Sequence, residues 1–480
     1  MKLTELLALL PLLILAGGIV IVMLQIAFWR NLPLTVGLVA LTLLAGTFSA
    51  LPDGTSMPVT PLLMADDYAL LFTMLFCLAA LITALFSTDY LGQRGDEPEE
   101  YFLLLLLSTL GACVLAFANH LASLLLGMEL LSIALYALIA YPDKAPLPLE
   151  AATKYLVLSA AASATALFGF ALLYAATGSL SFSGMNTGLT QAASQAIVLQ
   201  VAAVMVVAGL AFKLSLAPFH LWTPDVYQGA PSPVSGFLAS VSKAAVFVVL
   251  MRWFVASDLF RFTALMQALA VLAGLSMIVG NLLALLQDNI KRMLAYSSIA
   301  HMGYLMIVLV AAAAPVNRAF AIEAASFYLV AYTATTLAAF ALLAMLGAGH
   351  SGREQCQLQD ISGLFWLHPG QALLLMVAML SLAGIPLTAG FLAKFYVIGA
   401  ASSGSHWFLL GTLVVGSAIG IYYYLRVVFY MSRRPEEYPA QPVMSQHWPA
   451  RAAGWLLIAT VLLLGILPQP LLRHLASILS

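Results

Sequence analysis

The chain has 480 residues, of which 63% are hydrophobic and only 8% are charged, and its formal net charge is -1. So few charged side chains cannot cover the surface of a soluble protein, and the lipid bilayer must therefore be its main solvent. A net charge so close to zero also excludes the broad positive surface that nucleic-acid binding uses. The three cysteines, Cys77, Cys113 and Cys356, lack the paired spacing of a disulfide, iron–sulfur or zinc site, and we expect them to be inert packing residues.

The first apolar segment, from Leu6 to Phe28, is longer than the core of a typical signal peptide and no small-residue cleavage site follows it. It is therefore predicted to be a retained membrane helix. Counting apolar stretches of about 20 residues predicts about fourteen membrane-spanning helices. Their approximate centres are near residues 17, 41, 78, 109, 131, 164, 209, 243, 274, 303, 333, 384, 419 and 461. The predicted fold class is an all-α polytopic membrane protein with no sizeable soluble domain.

The basic residues of the short loops divide unequally between the two predicted sides of the membrane. One side carries Arg30, Arg94, Lys144, Lys291, Arg292, Arg353, Arg433 and Arg434. The other side carries Lys2, Arg252, Arg261, Arg318 and Arg473. Because basic loops tend to stay in the cytoplasm, this bias predicts that both termini lie outside, on the periplasmic side of a bacterial inner membrane.

Two predicted spans carry a proline at mid-span, Pro218 in KLSLAPFHLW and Pro386 in LSLAGIPLTAGFLAKFY. Proline removes a backbone donor and frees a carbonyl that lipid cannot satisfy, so such a broken helix tends to line a hydrated cavity. Each break lies near a lysine, Lys213 before the first and Lys394 after the second. A simple kink between packed helices is the alternative for either proline alone. Two prolines, each beside a lone lysine, favour the functional interpretation, because transporters often interrupt corresponding helices of two repeated halves.

Lys213 is isolated from other charges, since none occurs between Lys154 and Asp225 except Lys213 itself. A charged side chain near the middle of a membrane helix costs about 2.5 to 3.5 kcal/mol on insertion scales, so it usually has a partner and marks an ion or proton path. Glu129, in the apolar run HLASLLLGMELLSIALYALIAY, is the matching group of opposite sign.

Helical rise places further titratable groups at similar depths. At about 1.5 Å per residue, Lys243 lies about 15 Å into its helix, near the middle of a hydrocarbon core about 30 Å thick. Glu129 and His301 lie about 12 Å into theirs by the same arithmetic. Together with Lys213 and Lys394, they predict a lateral row of five buried titratable side chains.

Such a row favours proton transfer rather than bond making. A low-dielectric site destabilises the charged form of a lysine, whereas a nearby carboxylate stabilises it. If Glu129 lies near Lys213, opening and closing that pair would release and reload a proton. His301 suits a relay between lysines because imidazole titrates near neutral pH.

Each candidate also has a purely structural interpretation. A lone buried histidine such as His301 is more often a satisfied polar group than a relay. Lys243 and Lys394 would reach the interface if their helices ended a turn away from the expected positions. Lys154 lies four residues after Glu150 at the mouth of a helix, which predicts an exposed salt bridge.

Nucleotide, flavin, haem and metal motifs are absent from the sequence: it contains no G-x-G-x-x-G, P-loop, H-E-x-x-H or cysteine cluster. No redox chemistry is therefore expected of this chain alone.

Three stretches resemble the antiporter-like membrane subunits of respiratory complex I, which are related to multisubunit sodium/proton antiporters. They are FKLSLAPFHLWTPDVYQGAPSPVSGFLASVSK from Phe212 to Lys243, NIKRMLAYSSIAHMGY around His301, and LSLAGIPLTAGFLAKFY around Lys394. The resemblance covers nearly the whole chain, and HLWTPDVYQGAP looks like the N type, the bacterial counterpart of mitochondrial subunit 2. The M type carries glutamate where this chain has Lys394, and the L type adds a long lateral helix after the position of Leu472.

The resemblance implies a role for each candidate residue. Glu129 looks like the glutamate of the fifth helix, Lys213 its lysine partner on the broken seventh, Lys243 the central lysine of the eighth, His301 the relay of the tenth, and Lys394 the lysine of the broken twelfth. Lys154 resembles an accessory lysine of the sixth helix, beside its interpretation as a surface salt bridge.

The resemblance also implies N-terminal helices at 1–99, two inverted five-helix repeats at 100–256 and 262–432, and a C-terminal helix at 450–472. The implied activity is that of a proton-translocating subunit of NADH:quinone oxidoreductase, with NADH, FMN, iron–sulfur clusters and quinone on partner subunits. M-type and K-type membrane subunits and lipid are the expected neighbours. The alternatives are a subunit of a cation/proton antiporter complex, and a structural spacer that does not conduct, against which the cost of buried charges argues.

Overall fold

The computed structural model describes residues 3–52, 54, 56–92, 98–141, 146–191, 196–346, 354, 356–434 and 448–479. Of the basic residues that predict the orientation, Lys2, Arg94, Lys144 and Arg353 lie outside this part of the chain.

The N-terminal part combines helices with one short hairpin. Its elements are α1 (Leu3–Ala8), α2 (Leu10–Phe28), α3 (Leu32–Ser49), β1 (Met57–Thr60), β2 (Leu63–Ala65) and α4 (Asp67–Gly92). The two strands pair antiparallel. Helix α3 begins after Asn31, whose side chain accepts a hydrogen bond from the Leu34 amide and so satisfies one of the free donors of the first turn.

The middle part contains the first broken helix and the span that follows it. Its elements are α5 (Glu99–Phe117), α6 (Leu121–Ile139), α7 (Pro146–Thr177), α8 (Phe182–Gln191), α9 (Ala196–Lys213), α10 (Trp222–Gly229), α11 (Ser232–Phe237) and α12 (Lys243–Ala256). A π-helical segment, Leu238–Ser242, joins α11 to α12 and makes one continuous span.

The C-terminal part contains the second broken helix. Its elements are α13 (Thr263–Leu285), α14 (Ile290–Ala311), α15 (Arg318–Met345), α16 (Leu364–Leu367), α17 (Pro369–Ala383), α18 (Ala389–Ser403), α19 (Trp407–Ser432), α20 (Trp448–Ile466) and α21 (Gln469–Leu479). The helix predicted at 450–472 is divided between α20 and α21. Pro468 and Pro470 explain the division, because proline removes a backbone donor and cannot continue a helix.

Among the described residues, 13 helices are long and apolar enough to cross a membrane. The remaining predicted span, centred near residue 384, is the pair α17 and α18, whose halves are too short to be counted singly. The prediction of an all-helical polytopic protein is therefore confirmed. The limits of the two repeats stay predictions.

Consecutive spans alternate in direction, which sorts the loops by side. The start of α2, the hairpin, α8 and α21 fall on one side, which we call the N-terminal side. Helix α21 packs against α4 and α15, in keeping with this placement. The first residues of α5, α14 and α17 fall on the opposite side.

The first broken helix satisfies its interrupted backbone inside the protein. The Leu216 amide donates to the Ala211 carbonyl at 2.8 Å, and the Ala217 amide donates to Ser276 Oγ at 2.9 Å. The indole of Trp222 donates to the Phe212 carbonyl at 3.0 Å. Irregular backbone survives within a bilayer only when its polar groups find such partners, so the break predicted at Pro218 is a built feature and not a frayed helix end.

The second break is closed by different groups. Gly384 has φ 84°, a left-handed conformation that glycine adopts without strain, and its amide donates to the Leu380 carbonyl. The Gly390 amide at the start of α18 donates to Ser381 Oγ at 3.1 Å. The break predicted at Pro386 is thus present, with α17 and α18 held together by a serine of α17.

Glycine allows α13 and α14 to approach closely. A Cβ at Gly303 would lie 2.8 Å from the Ala273 carbonyl oxygen and 2.8 Å from Met277 Cγ, both on α13. Small residues at such crossings let helix backbones pack in lipid, where no hydrophobic effect drives them together.

We expect Gly303→Val to destabilise this crossing by about 1 to 3 kcal/mol, the usual cost of overpacking a well-packed core. The level of the chain in purified membranes, measured by immunoblot against an unrelated membrane protein, should fall. Gly37→Val is the matched control, because a Cβ at Gly37 meets nothing within 4 Å. An equal effect of the two substitutions would show that the α13–α14 crossing is not the cause.

Candidate functional site

Lys213 is the last residue of α9 and lies at the first break, where its side chain is buried. Its Nζ donates to Ser132 Oγ on α6 at 2.6 Å and to Ser159 Oγ on α7 at 2.7 Å. The Tyr136 hydroxyl donates to the same Ser159 oxygen at 2.7 Å. Lys213 therefore joins three helices through hydroxyl groups.

Glu129, the predicted partner of Lys213, forms no ion pair with it within 4.0 Å in the described structure. Its Oε1 is buried and has no hydrogen-bond partner. Glu129 lies three residues before Ser132 on α6, which places the two side chains on the same helix face. The structure therefore shows the Glu129–Lys213 pair in an open arrangement, with Ser132 holding the lysine.

Lys243 follows the π-helical segment and has only 1% of its surface exposed. Single-turn π segments in helices are frequent at functional sites, because they shift the register of the side chains that follow. The Lys243 Nζ donates to Ser298 Oγ on α14 at 2.7 Å and lies 5.5 Å from the centre of the Tyr227 ring. Tyr227 belongs to α10, so the segment after the first break packs against the central lysine.

His301 lies between two tyrosines. Its Nδ1 is 2.6 Å from the Tyr328 hydroxyl of α15, and its Nε2 is 3.2 Å from the Tyr424 hydroxyl of α19. Tyr424 also hydrogen-bonds to Ser297 on α14. A neutral imidazole donates with one nitrogen and accepts with the other, so one tyrosine hydroxyl accepts a hydrogen bond from the ring and the other donates a hydrogen bond to it.

Lys394, on α18, closes the second break. Its Nζ donates to the Leu382 carbonyl at 2.9 Å and to the Ala383 carbonyl at 3.0 Å, both at the end of α17. The last carbonyls of a helix lack intrahelical partners and carry partial negative charge, so a cation is stabilised there. The Nζ also lies 5.4 Å from the centre of the Tyr304 ring on α14.

Helix α14 links these groups through one face. Ser298, His301 and Tyr304 are spaced three residues apart, and side chains at that spacing are neighbours on a helix surface. Ser298 contacts Lys243, and Tyr304 contacts Lys394, with His301 between them. We call these three residues the α14 stripe. The structure therefore places three of the predicted side chains, Lys243, His301 and Lys394, along one face of α14, while Lys213 and Glu129 lie at the first break.

Lys154 forms the exposed salt bridge to Glu150 that its spacing predicts, and it forms a second one to Asp225. Its Nζ is 2.7 Å from Glu150 and 2.8 Å from Asp225, and Asp225 also pairs with Arg292 of α14 at 2.7 Å. Burial alone would raise the pKa of the Asp225 carboxyl, but the hydrogen bonds from Lys154 and Arg292 outweigh it and hold that pKa below its usual value. Lys154 thus ties α7 to α10 on the opposite side of the membrane.

Sequence reasoning missed the neutral members of the site, because serine and tyrosine are common in packed membrane helices and have no charge to make them conspicuous. They are Ser132, Ser159, Tyr227, Ser298, Tyr304, Tyr328 and Tyr424. A three-residue spacing from a buried charge was the available signal. It connects Glu129 to Ser132, and it connects His301 to both Ser298 and Tyr304.

Sequence reasoning also missed a buried ion pair on the side of the membrane opposite the N-terminal side. Lys291, counted above as a loop charge, is 1% exposed and lies 2.6 Å from Glu354. Glu354 also accepts hydrogen bonds from the amide and the hydroxyl of Ser232, at the start of α11, and from the Tyr90 hydroxyl of α4. We call these four residues the Glu354 clamp. The clamp joins the ends of α4, α11 and α14, the last two of which lead to Lys243 and His301.

Metal ligands do not cluster in the part of the chain that the structure describes: no group of three His, Cys, Asp or Glu side chains there could hold an ion. The described cysteines are buried and free.

Comparison with known proteins agrees with this architecture. The sequence profile of the NADH:quinone oxidoreductase/Mrp antiporter transmembrane family matches residues 118–420. A chain of respiratory complex I from Thermus thermophilus, solved with bound aureothin, is similar with 36% identity and a TM-score of 0.83, over 97% of this chain and 99% of that one.

Two more distant structures share the fold. A chain of an archaeal membrane-bound sulfane sulfur reductase has 24% identity and a TM-score of 0.83, over 99% of this chain and 96% of the other. A chain of the Mrp complex from Dietzia sp. DQ12-45-1b has 20% identity and the same TM-score, over 100% of this chain and 97% of the other. All three relatives are parts of multisubunit membrane complexes.

Proposed function

We propose that this chain, which belongs to the NADH:quinone oxidoreductase/Mrp antiporter transmembrane family, transfers protons as the N-type antiporter-like subunit of a bacterial NADH:quinone oxidoreductase. The observation that carries the proposal is the α14 stripe, in which Ser298 binds the buried amine of Lys243, Tyr304 faces the buried amine of Lys394, and His301 lies between them. Buried charges are expensive in lipid, and a packed helix bundle has no structural need for two amines at midplane depth.

The proposed transfer uses groups that can both give and take a proton. The Ser298 hydroxyl accepts from Lys243 and donates to the Ala295 carbonyl, so its role is to hold the amine in place. His301 can receive a proton at one nitrogen while releasing another from the opposite nitrogen, with Tyr328 and Tyr424 fixing the ring. Lys394 is the end of the row at the second break.

Lys213 and Glu129 form the loading step in this proposal. In the described structure Glu129 forms no ion pair with Lys213, and the amine of Lys213 is held by the hydroxyls of Ser132 and Ser159. Closure of Glu129 onto Lys213 would favour the protonated amine, and opening would release the proton toward Lys243. The described side chains give no direct hydrogen bond between Lys213 and Lys243, so water must bridge that step.

The wider setting is also proposed. NADH, FMN, the iron–sulfur clusters and quinone would be held by partner subunits, so this chain would contribute proton transfer and no redox centre. M-type and K-type subunits would be its neighbours in a bacterial inner membrane, with both termini in the periplasm. The sequence identity of 36% to the Thermus thermophilus complex I chain supports this setting over a cation/proton antiporter. The Mrp chain has only 20% identity, so its likeness is one of fold alone.

The experiment is Lys213→Ala in the assembled complex, with NADH-driven quinone reduction and proton pumping recorded in the same membranes. We expect both rates to fall together to less than half of wild type, while native gels show an intact complex. Arg451→Ala, which removes an exposed cation at the start of α20, is the matched control and should leave both rates unchanged.

Three outcomes would argue against the proposal. Unchanged rates would make Lys213 a structural residue. A chain that purifies without NADH-oxidising subunits, and whose loss removes sodium/proton exchange, would be an antiporter subunit. Normal pumping with every member of the row replaced would identify a spacer.

A further inference from the structure

Asn281 is a buried amide on α13 whose polar atoms bind side chains of two neighbouring helices. It is 1% exposed. Its Nδ2 donates to the Met277 carbonyl of its own helix at 2.7 Å and to the Tyr304 hydroxyl of α14 at 3.0 Å. Its Oδ1 accepts a hydrogen bond from the Tyr423 hydroxyl of α19 at 3.0 Å. A carbonyl can only accept, so Met277 fixes which end of the amide faces each tyrosine.

Two glycines of α19 leave the space that the amide fills. A Cβ at Gly416 would lie 2.9 Å from Asn281 Nδ2 and 3.1 Å from the Tyr304 hydroxyl oxygen. A Cβ at Gly420 would lie 3.3 Å from Asn281 Oδ1. The two glycines share one face of α19, because residues four apart are neighbours on a helix surface. Asn281, Tyr304 and Tyr423, which we call the Asn281 junction, are therefore closely packed at this face.

The first arm of the junction ends at Lys394. The centre of the Tyr304 ring is 5.4 Å from the Lys394 Nζ, and it is 5.5 Å from the centre of the His301 ring in an edge-on arrangement. The attraction between a cation and an aromatic ring depends on the position of the cation over the ring face. Asn281 binds the Tyr304 hydroxyl and so restrains that ring at its outer end. The amide therefore sets where the ring stands beside Lys394.

The second arm leads to His301. Asn281 binds the Tyr423 hydroxyl, and the ring centres of Tyr423 and Tyr424 are 4.3 Å apart. The Tyr424 hydroxyl lies 3.2 Å from His301 Nε2. Both tyrosines are buried, and close-packed interiors transmit the displacement of one side chain to the next. One neutral amide thus reaches two titratable groups of the predicted row through aromatic side chains.

We propose that Asn281 is a positioning residue for proton transfer between His301 and Lys394. The inference rests on the proposed function and extends it to α13, a helix that carries none of the site residues predicted from the sequence. Asparagine suits this position because one uncharged side chain offers two donors and an acceptor. An amide that served packing alone would tie α13 to α19 whatever its partners touched. Here the partners on both arms lead to members of the row.

The test compares Asn281→Leu, Tyr304→Phe and the double variant in the assembled complex. Leucine is close to asparagine in size and phenylalanine keeps the ring beside Lys394, so both changes remove the same hydrogen bond. We expect each to lower NADH-driven proton pumping per assembled complex about fivefold, the factor for about 1 kcal/mol of cation–π attraction. The double variant should be no slower than the slower single variant, because groups that act through one contact are not additive. All three should show the same altered dependence of pumping on pH.

Asn31→Leu is the matched control, because the same substitution there removes the N-cap of α3, a helix that carries no member of the row. It should leave pumping per complex and its pH dependence unchanged. Tyr423→Phe removes one oxygen atom from the second arm and should also lower pumping and alter its pH dependence, even if Asn281→Leu does not assemble.

Two results would overturn the positioning role. One is wild-type pumping in the single variants of the junction. The other is a set of losses that multiply in the double variant and are equal at every pH, which would identify a packing residue. Lys213→Ala, measured in parallel, separates the two proposals. If Lys213→Ala lowers pumping and the junction variants do not, only the role of Asn281 fails; if Lys213→Ala also pumps normally, the proposed function fails.

Discussion

Lys243→Met is expected to lower proton pumping at least tenfold while the complex still assembles. Lys243 is almost completely buried, its one side-chain acceptor is Ser298, and it stands at the junction of the first break and the α14 stripe. Methionine keeps the length of the side chain and removes the proton-binding group. Replacing a buried charge by an apolar side chain of similar volume is often neutral or stabilising, so folding should survive.

The measurement compares NADH-driven pumping and quinone reduction in one preparation of membranes. The control is Arg451→Met, in which an exposed cation is also replaced by methionine. Pumping at the wild-type rate in an assembled Lys243→Met complex would remove the central lysine from the path. Loss of pumping with quinone reduction unchanged would show that the chain conducts but does not control the redox reaction.

Glu354→Gln is expected to open the clamp on the opposite side of the membrane. The substitution leaves Lys291 as a buried cation without its carboxylate, and breaking a buried pair in this way costs about 3 to 5 kcal/mol. Amides near the clamp should then exchange with deuterium about a hundredfold faster or more, since each 1.4 kcal/mol is a factor of ten. The Ser232 amide, which donates to Glu354, and the Ile290 amide, which donates to Cys356, report on it directly.

Glu100→Gln serves as the control for the clamp. Glu100 pairs with Arg30, and the two side chains are 39% and 46% exposed. Exposed pairs contribute about 0 to 1 kcal/mol, so exchange should change by about fivefold at most. Lys291→Met combined with Glu354→Gln should restore part of the protection, because no buried charge is then left alone. Equal exchange in Glu354→Gln and wild type would show that the pair does not hold these helices together.

The membrane architecture was within reach of sequence reasoning. Apolar runs of span length predict the helices, and Pro218 and Pro386 predict both breaks, because each signal is local to the segment that it describes. The same holds for the candidates at Lys213, Lys243 and Lys394, whose cost in lipid marks them without any knowledge of their neighbours. Their roles in proton transfer stay predictions.

The contacts of these groups lay beyond such reasoning. Nothing local indicates that Lys213 donates to Ser132 and Ser159, 81 and 54 residues away, instead of pairing with Glu129. Lys291 reads as a loop charge beside Arg292, yet one is buried against Glu354 and the other is partly exposed on Asp225. Neighbouring positions at a helix start point in different directions, and only the packing of distant segments decides which is covered.

By itself, then, the sequence determined where the chain crosses the membrane, where two crossings break, and that Lys213, Lys243 and Lys394 lie within crossings, since hydropathy and proline chemistry act on each segment alone. The tertiary structure decided which groups those charges meet. Ser298, His301 and Tyr304 lie beside both buried amines only because α10 and α18 pack against α14 and Lys243 reaches Ser298. Partners are set by the approach of helices far apart in the chain, which is a property of the whole fold.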